Sequence, residues 1–438
     1  MPLLAGAART CITPPLGASL SGYFNDRKAV DVHDDLHAKA LVVSDGDEAI
    51  ALAVCDIICC PREVLDRAKQ MAYVRIGIPP DKVTVSCTHT HTGPATAGLL
   101  GAVKEEAYDE WLAGRIADAL QMAYRRLQPA VACWGSGSEP NEVSNRRWYM
   151  VDGTVATNPP IGSPDLVKPA GPVDPEVGLL AFEQPDGTPI AAVINYALHY
   201  VGGGDGLEVS ADYFALVQEE LNRMVGAQFP VLLANGCCGD INNLSFREPH
   251  PPRPSPDVWA QARHVARVLS AEVVKVWEQS LRHTDAPLGA AAREVPVPRR
   301  TTPPDELQRA REITAKTMET SGVGLFDWQY AHEWLRVEEL PPVLDSLVTA
   351  GRVGDAAWAG LPGEVFCGFG LAIKERSPFP HTMPIELAND YLGYICTPEG
   401  LKQGGYETWL ALSSLPTGEG GWALANAATD LLTELAKG

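Results

Sequence analysis

The chain has 438 residues, of which 45% are hydrophobic and 21% are charged, a composition typical of a soluble globular protein. The formal net charge of −20 and the pI near 4.9 argue against a nucleic-acid or anionic-membrane partner, because no surplus of Lys and Arg exists to neutralise phosphates. No apolar run of about 18 residues and no signal-peptide pattern occur, so we expect a cytoplasmic protein with a small-molecule substrate and no stable membrane association.

The first part of the chain alternates strands and helices. Residues 38–58 form a predicted β-hairpin around Asp45-Gly46-Asp47, since Asp-Gly between two apolar runs is a strong hairpin signal. Pro61 starts a predicted amphipathic helix that runs to about Arg75. A second predicted helix covers residues 105–127, and its spacing of apolar residues predicts one packed face of Trp111, Ile116, Leu120 and Tyr124.

Between these helices lies the segment Val83-Thr84-Val85-Ser86-Cys87-Thr88-His89-Thr90-His91-Thr92-Gly93-Pro94. Its alternation at period two predicts a buried strand, with His89 and His91 side by side on one face just before Gly93-Pro94 breaks it. Two such imidazoles can share a metal ion or bind a substrate. The same short pattern also suits a pair of hydrogen-bonded core histidines.

The segment from about residue 135 to 175 follows a predicted strand at residues 130–134. It is rich in Gly, Pro, Ser and Asn and contains Asn145-Arg146-Arg147. We therefore expect a long surface loop that covers a site.

In the second half of the chain, predicted hydrophobic strands again end in polar or glycine residues. A hairpin of residues 178–182 and 190–196 leads to His199, and the strand of residues 231–234 ends in Asn235-Gly236-Cys237-Cys238-Gly239-Asp240. In α/β folds ligands bind at such strand ends. Further predicted elements are helices at residues 213–225, 256–280, 304–319 and 421–435, and a hairpin of residues 346–349 and 356–359.

These elements predict a layered α/β fold of mixed β-sheets flanked by helices, in one catalytic domain over residues 1–438. The ten cysteines include the adjacent pairs Cys59-Cys60 and Cys237-Cys238 but no Cys-x-x-Cys motif. We expect buried free thiols, because neighbouring cysteines rarely form a disulfide with each other.

Seven motifs, taken in order along the chain, resemble those of the catalytic domain of the neutral, non-lysosomal ceramidase family. They are Thr-His-Thr-His-Thr-Gly-Pro (88–94), Asn145-Arg146, Leu198-His199, Cys238-Gly239-Asp240-Ile241-Asn242, Leu361-Pro362-Gly363-Glu364, Tyr391-Leu392-Gly393-Tyr394 and Gly405-Tyr406-Glu407. The N-terminal segment of residues 5–15 and Ser21-Gly22-Tyr23 also resemble that family's opening. Members of the family are zinc amidohydrolases that cleave the N-acyl linkage of a sphingoid base.

The resemblance implies roles for eight residues. The implied zinc ligands are His89, His199, Glu364 and Tyr394. Two imidazoles, a carboxylate and a phenolic oxygen leave room for a water, as a catalytic zinc site requires. The other implied roles are proton acceptor for His91, donors to the oxyanion for Arg146 and Tyr406, and orientation of an imidazole or a backbone turn for Asp240.

Several of these residues also have a purely structural interpretation. Glu364 follows Pro-Gly and could be an exposed turn carboxylate, and Tyr394 and Tyr406 could be ordinary half-buried aromatic residues. Arg146 could be a surface cation, with Arg147 or Trp148 facing the site instead. Alternation alone also leaves open which of the two neighbouring histidines is the ligand.

The chain departs from the family pattern in ways that bear on the substrate. Asn242 stands where ceramidases have a serine, and from this sequence we expect neither an immunoglobulin-like C-terminal domain nor a secretory signal. We therefore expect a substrate smaller and more soluble than membrane-embedded ceramide.

The predicted function is zinc-dependent hydrolysis of a linear amide (N-acyl) bond by a water that the metal activates. The alternatives are hydrolysis of an ester, a lactone or a sugar-like substrate at the same site, and a non-catalytic ligand-binding protein on this scaffold.

Overall fold

A computed structural model describes residues 2–247 and 255–437. Within these residues the helices are α1 (Arg62–Ile76), α2 (Glu106–Arg125), α3 (Asp212–Val225), α4 (Ala260–Gln279), α5 (Pro304–Thr314), α6 (Met318–Ser321), α7 (Leu325–Glu338), α8 (Cys367–Arg376), α9 (Pro398–Gln403) and α10 (Gly418–Leu435).

Three large sheets, each named here by its position along the chain, carry most of the strands. The N-terminal sheet has the strand order Val83–Cys87, Ala49–Cys55, His37–Ser44, Leu4–Cys11, Gln128–Pro129. The central sheet has the order Val231–Asn235, Pro189–Tyr196, Glu176–Glu183, Val131–Ser138, Arg282–His283. The C-terminal sheet has the order Leu288–Pro298, Val343–Val353, Ala356–Gly360, His381–Ile385.

Each large sheet has one parallel pair of strands at its edge, and the remaining pairs are antiparallel. The parallel pairs are Ala49–Cys55 with Val83–Cys87, Pro189–Tyr196 with Val231–Asn235, and Ala356–Gly360 with His381–Ile385. Because parallel strands end at the same edge of a sheet, each pair directs two loops to one place.

Hydrogen bonds join the three edges to one another. The backbone N–H of Cys87 donates to the carbonyl of Leu387 (3.2 Å), and the N–H of Glu386 donates to the carbonyl of Asn235 (3.1 Å). The side-chain amide of Asn235 also donates to the carbonyl of Thr88 (2.9 Å). The loops that leave the three parallel pairs therefore meet at one junction.

The helices and the sheets form layers around separate apolar clusters. One cluster packs α1 and α2 on the N-terminal sheet, a second packs α3 and α4 on the central sheet, and a third packs α8 and α10 on the C-terminal sheet. A fourth cluster lies between the sheets themselves and includes Leu52, Phe182, Trp358 and Met383. This arrangement confirms the predicted layered α/β fold.

The local predictions were correct for the hairpins and for the helices that correspond to α1, α3, α4 and α10. The predicted face of α2 was wrong in part, because the side chains of Trp111 and Tyr124 are 44% and 38% exposed. Leu112, Ile116 and Leu120 form the buried face instead. Neither α7 nor α8 was predicted.

The predicted long loop between residues 135 and 175 contains strands. Arg147–Met150 pairs with Val155–Thr157 and Leu166–Pro169 in a small antiparallel sheet, and Ser144–Asn145 pairs with Ile241–Asn242. The strands were missed because their side chains follow no clear period-two pattern and turn residues surround them.

All ten cysteines are free, and all except Cys11 are buried, as predicted. In the described part of the chain, no helix has the length and apolar character needed to cross a membrane.

Candidate metal centre

His89 follows the strand Val83–Cys87, but its backbone does not continue the strand as the sequence alternation predicted. The strand stops at Cys87, and His89 has a left-handed backbone conformation with φ of 66°. Its N–H donates to the carbonyl of Ile57 (3.0 Å) in the loop that follows the parallel neighbour strand. The prediction that His89 and His91 continue one strand face was therefore wrong, because a tertiary hydrogen bond turns the chain between them.

The turn nevertheless places three imidazoles together. His89, His91 and His199 each offer a ring nitrogen, and these nitrogens lie within 4.8 Å of one another. The ring centroids of His89 and His199 are 4.4 Å apart, and those of His89 and His91 are 4.8 Å apart. His199 comes from the end of the central sheet, so two sheets contribute to one cluster.

Glu364, which follows the strand Ala356–Gly360 of the C-terminal sheet, lies at the same point. Its Oε2 atom lies 3.3 Å from Nε2 of His89 and 3.8 Å from Nε2 of His199. Its Oε1 atom accepts a hydrogen bond from the hydroxyl of Tyr391 (2.7 Å). Glu364 is only 3% exposed, which excludes the interpretation as an exposed turn carboxylate.

Tyr394 lies beside Glu364 because of local backbone pairing. The short parallel strands Glu364–Val365 and Tyr394–Ile395 put the two residues in register. Gly363 precedes Glu364 with φ of 150°, and a Cβ atom there would lie 2.4 Å from the carbonyl oxygen of Gly393. Glycine at this position allows the close approach that aligns Glu364 with Tyr394.

Among His89, His199, Glu364 and Tyr394, two polar atoms lack hydrogen bonds of standard geometry within the described residues. They are Oε2 of Glu364 and Nε2 of His199, and both are shielded from solvent. Nδ1 of His89 lies 2.8 Å from the carbonyl oxygen of Ile58, so Nδ1 carries a proton, and Nε2 faces Oε2 of Glu364 at 3.3 Å. This contact is favourable when Nε2 carries a second proton or when a metal ion lies between the two atoms.

The contact between His89 and Glu364 also shifts the pKa of both residues. Burial acts to lower the pKa of His89, but the Glu364 carboxylate raises it above the ordinary value. Burial acts to raise the pKa of Glu364, but His89 holds it below the ordinary value. Burial, together with His89 and Arg146, lowers the pKa of His199, so that His199 is neutral as a metal ligand must be.

The residues present fit a zinc ion. The donor set of His89, His199, Glu364 and Tyr394 combines two imidazole nitrogens with a carboxylate and a phenolic oxygen, which zinc accepts. Two of the donor atoms are buried and unsatisfied, as expected for atoms whose partner is a metal ion.

Arg146 and Tyr406 border this cluster. Nη2 of Arg146 donates to the hydroxyl of Tyr394 (3.0 Å) and to the carbonyl of Gly239 (2.8 Å). Arg146 is buried, whereas Arg147 points away and donates to the carbonyl of Gly400 (3.0 Å). The ring of Tyr406 lies 5.8 Å from that of Tyr394.

Asp240 makes hydrogen bonds to the backbone and to Asn145 and none to an imidazole of the described residues. Its Oδ1 atom accepts the N–H of Cys367 (2.8 Å) at the start of α8, and its Oδ2 atom accepts the side-chain amide of Asn145 (2.8 Å). Its carbonyl accepts the N–H of Arg146 (2.9 Å). Of the two roles that the sequence suggested, only orientation of the backbone agrees with these contacts.

Sequence reasoning missed three acidic or phenolic residues that support the cluster. Tyr391 binds Glu364, and Glu407 accepts a hydrogen bond from Nε of Arg146 (2.8 Å). Glu386 is fully buried next to Cys238 and His199. Tyr391 and Glu407 lie in motifs that were quoted for the resemblance, whereas only the position of Glu386 after a buried strand could have indicated it.

Comparison with known proteins gives a structural result only. No protein-family model and no curated protein matches the sequence. The structure is similar to the crystal structure of neutral ceramidase from Pseudomonas aeruginosa, with a TM-score of 0.77 and 18% identity over 100% of this chain and 75% of that chain. A structure of ceramidase complexed with C2 is similar at a TM-score of 0.76 and 18% identity, over 100% of this chain and 76% of that chain. The chain therefore has the fold of these ceramidases, as its motifs predicted.

Proposed function

We propose that this chain is a zinc-dependent hydrolase of a linear amide (N-acyl) bond, and that residues 1–438 act as one catalytic domain. One observation carries the proposal. Oε2 of Glu364 lies 3.3 Å from Nε2 of His89 and 3.8 Å from Nε2 of His199, and in the described residues Oε2 of Glu364 and Nε2 of His199 are buried without a hydrogen bond of standard geometry. The ceramidase fold supports cleavage of an amide rather than another bond.

The metal and the protein contribute different chemistry. When bound by His89, His199, Glu364 and Tyr394, zinc would lower the pKa of a water and polarise a carbonyl group. The protein residues around it hold the substrate, move protons and stabilise charge.

His91 is placed to accept a proton. Burial, with His89 and Arg27 as further causes, lowers the pKa of His91 well below its ordinary value, so the imidazole is neutral. Neither ring nitrogen makes a hydrogen bond of standard geometry within the described residues, and the ring stacks on Tyr200 at 3.7 Å. A neutral imidazole with a fixed ring and a free nitrogen is suited to general-base catalysis.

Arg146 and Tyr406 would stabilise the negative charge that develops on the carbonyl oxygen during attack. Glu407 fixes the guanidinium of Arg146 from one side, and Tyr394 and Gly239 fix it from the other. Donors that are already oriented stabilise a transition state without reorganisation. The hydroxyl of Tyr406 would supply a second donor.

The acidic surface supports a small, water-soluble substrate. A net charge of −20 disfavours approach to anionic lipid surfaces. Soluble N-acyl amines with short acyl chains are therefore the substrate class that we propose, and the metal site acts on their amide carbonyl.

The test combines metal analysis with turnover. Elemental analysis should give about one zinc per chain, and a panel of short N-acyl amines should be hydrolysed, with loss of activity on chelation and recovery on adding zinc. Matched esters in the same panel decide whether the amide is preferred. Zinc binding without turnover of any member would support a ligand-binding protein instead, and absence of metal affinity would refute the site.

A further inference from the structure

Tyr406 lies between the candidate metal centre and a cavity lined by aromatic residues. Its ring lies 5.8 Å from Tyr394 on the metal side and 5.9 Å from Trp409. Trp409 lines a cavity of about 450 Å³ together with Phe326, Tyr330 and Trp334 of α7. This volume lies within the range of about 300–1,000 Å³ that is usual for small-ligand sites. The cavity is called the aromatic cleft below.

The walls of the aromatic cleft are held in place but remain open to solvent. Trp334 donates its indole N–H to the carbonyl of Leu410 (3.0 Å), and the rings of Tyr330 and Trp409 are 5.4 Å apart. Trp409 and Phe326 nevertheless expose 48% and 55% of their surface. Large aromatic side chains that are exposed together in a concave site favour a ligand that covers them.

Two carboxylates give the cleft its charge. Glu306 and Asp327 line it, and Oε2 of Glu306 is shielded from solvent without a hydrogen bond of standard geometry in the described residues. Arg309 lies 4.0 Å from Glu306 and 3.8 Å from Asp327, at the outer limit of an ion pair. The charged residues that line the cleft are therefore both acidic.

We propose that the aromatic cleft binds an alkylated ammonium group of the substrate, remote from the bond that is cleaved. The faces of Trp and Tyr rings attract a cation through their quadrupoles, and alkyl groups on nitrogen fill the apolar surface between the rings. Glu306 and Asp327 add Coulombic attraction. The assignment of the ligand as part of a substrate rests on the proposed hydrolase function, whereas the binding of the cation does not.

A pair of isosteric probes tests the charge directly. Choline carries a trimethylammonium group, and 3,3-dimethyl-1-butanol carries an uncharged tert-butyl group of the same shape. Tryptophan fluorescence and calorimetry on the chelator-treated protein should show choline binding about 5- to 30-fold more tightly than the alcohol, the range expected for cation–π attraction. Equal affinities for choline and the alcohol would show that the cleft binds apolar groups without regard to charge, which would contradict the proposal. Failure of choline to bind would refute it.

Substitutions locate the binding. Trp409→Leu and the double change Glu306→Gln with Asp327→Asn should each weaken choline binding by about tenfold, with the circular dichroism spectrum retained. Trp422→Leu and Asp305→Asn are matched controls, because Trp422 is a partly exposed tryptophan on α10 and Asp305 precedes Glu306 on α5, and neither lines the cleft. Equal weakening in the controls would place the binding elsewhere.

Measurements of kcat/KM test the cleft proposal and the proposed hydrolase function separately. Amides that carry a trimethylammonium group should have a higher kcat/KM than their tert-butyl isosteres, and the double change at Glu306 and Asp327 should abolish that preference. Choline binding without hydrolysis of any amide would support the cleft and refute the function. Hydrolysis of amides without a preference for the charged member would support the function and refute the cleft as a substrate site.

Discussion

Glu386 accepts the thiol of Cys238 on Oε1 at 2.9 Å and the backbone N–H of the same residue on Oε2 at 3.0 Å. Oε2 also accepts the N–H of Val365 (2.8 Å), the residue after Glu364. The sulfur of Cys238 lies 3.8 Å from Nδ1 of His199. One buried carboxylate thus holds the backbone behind two of the proposed metal ligands.

The first prediction concerns the pH dependence of stability. Burial raises the pKa of Glu386 from 4.5 to about 8, although the Cys238 hydrogen bonds act to lower it. The folded state therefore binds the proton more tightly than the unfolded state. The resulting stabilisation is complete below pH 4.5 and is lost as the pH rises towards 8.

The measurement is urea unfolding of chelator-treated protein from pH 5 to 9. The difference in the free energy of unfolding between the unaltered protein and Glu386→Gln, which keeps an acceptor oxygen and has no charge, should fall by on the order of 4 kcal/mol over this range. Identical pH profiles for the two proteins would show that Glu386 does not titrate in this way.

The second prediction separates the ligands from the proton acceptor. His89→Ala and Glu364→Gln should lose most bound zinc, since each removes a donor atom from the centre. His91→Ala should retain zinc and lower kcat by about 10²–10⁴-fold, the usual contribution of a positioned acid–base group. Retention of zinc by His89→Ala together with its loss from His91→Ala would mean that the two roles are exchanged.

The third prediction uses two glycines of the N-terminal segment. Gly22 has φ of 106°, and a Cβ atom there would lie 2.6 Å from Cγ of His91. Gly22→Ala should displace the His91 ring and lower kcat without loss of zinc. Gly17→Ala is the control, because Gly17 also has a positive φ, of 88°, but a Cβ atom there meets nothing within 4 Å. Both changes should lower stability by about 1 kcal/mol because alanine is strained at a positive φ. An equal loss of activity in the two variants would therefore show that backbone strain, and not contact with His91, is the cause.

Much of the fold could be predicted from local sequence. The hairpin at Asp45-Gly46-Asp47 and the helix α3 follow turn chemistry and periodicity that act over a few residues. The helix α8 could not be predicted in this way, because its first four residues include Gly368 and Gly370, which disfavour a helix in isolation. Tertiary packing against α10 and the hydrogen bond from Cys367 to Asp240 stabilise it instead.

The candidate site was predicted by family motifs more than by periodicity. Alternation suggested that His89 and His91 lie together, but the turn that brings them together depends on Ile57, 32 positions before His89, as the hydrogen bond shows. Glu386 was missed since a single Glu after a strand has no distinctive sequence signal, and only the meeting of three sheets buries it. Contacts between distant segments therefore account for what the sequence did not reveal.

The last prediction concerns the two neighbouring arginines, which share one carboxylate. Nε of Arg146 lies 2.8 Å from Oε1 of Glu407, and Nε of Arg147 lies 3.3 Å from Oε2 of the same residue. Only Arg146 reaches the hydroxyl of Tyr394, whereas Arg147 extends to the carbonyl of Gly400. The two side chains are buried alike but contact different parts of the molecule.

Substitution by lysine should therefore affect them differently. A lysine ammonium cannot reproduce the planar set of N–H donors that Arg146 directs to three acceptors, so Arg146→Lys should lower kcat by about 10²–10³-fold, the effect of losing one donor to a developing oxyanion. Arg147→Lys should lower the melting temperature with a much smaller change in kcat, since Arg147 contacts Glu407 more weakly than Arg146 does and otherwise holds α9 at Gly400, not the site. Steady-state kinetics and thermal unfolding of both variants provide the comparison. An equal loss of kcat in the two variants would indicate that Arg146, like Arg147, acts by holding the local structure and not on the reacting carbonyl.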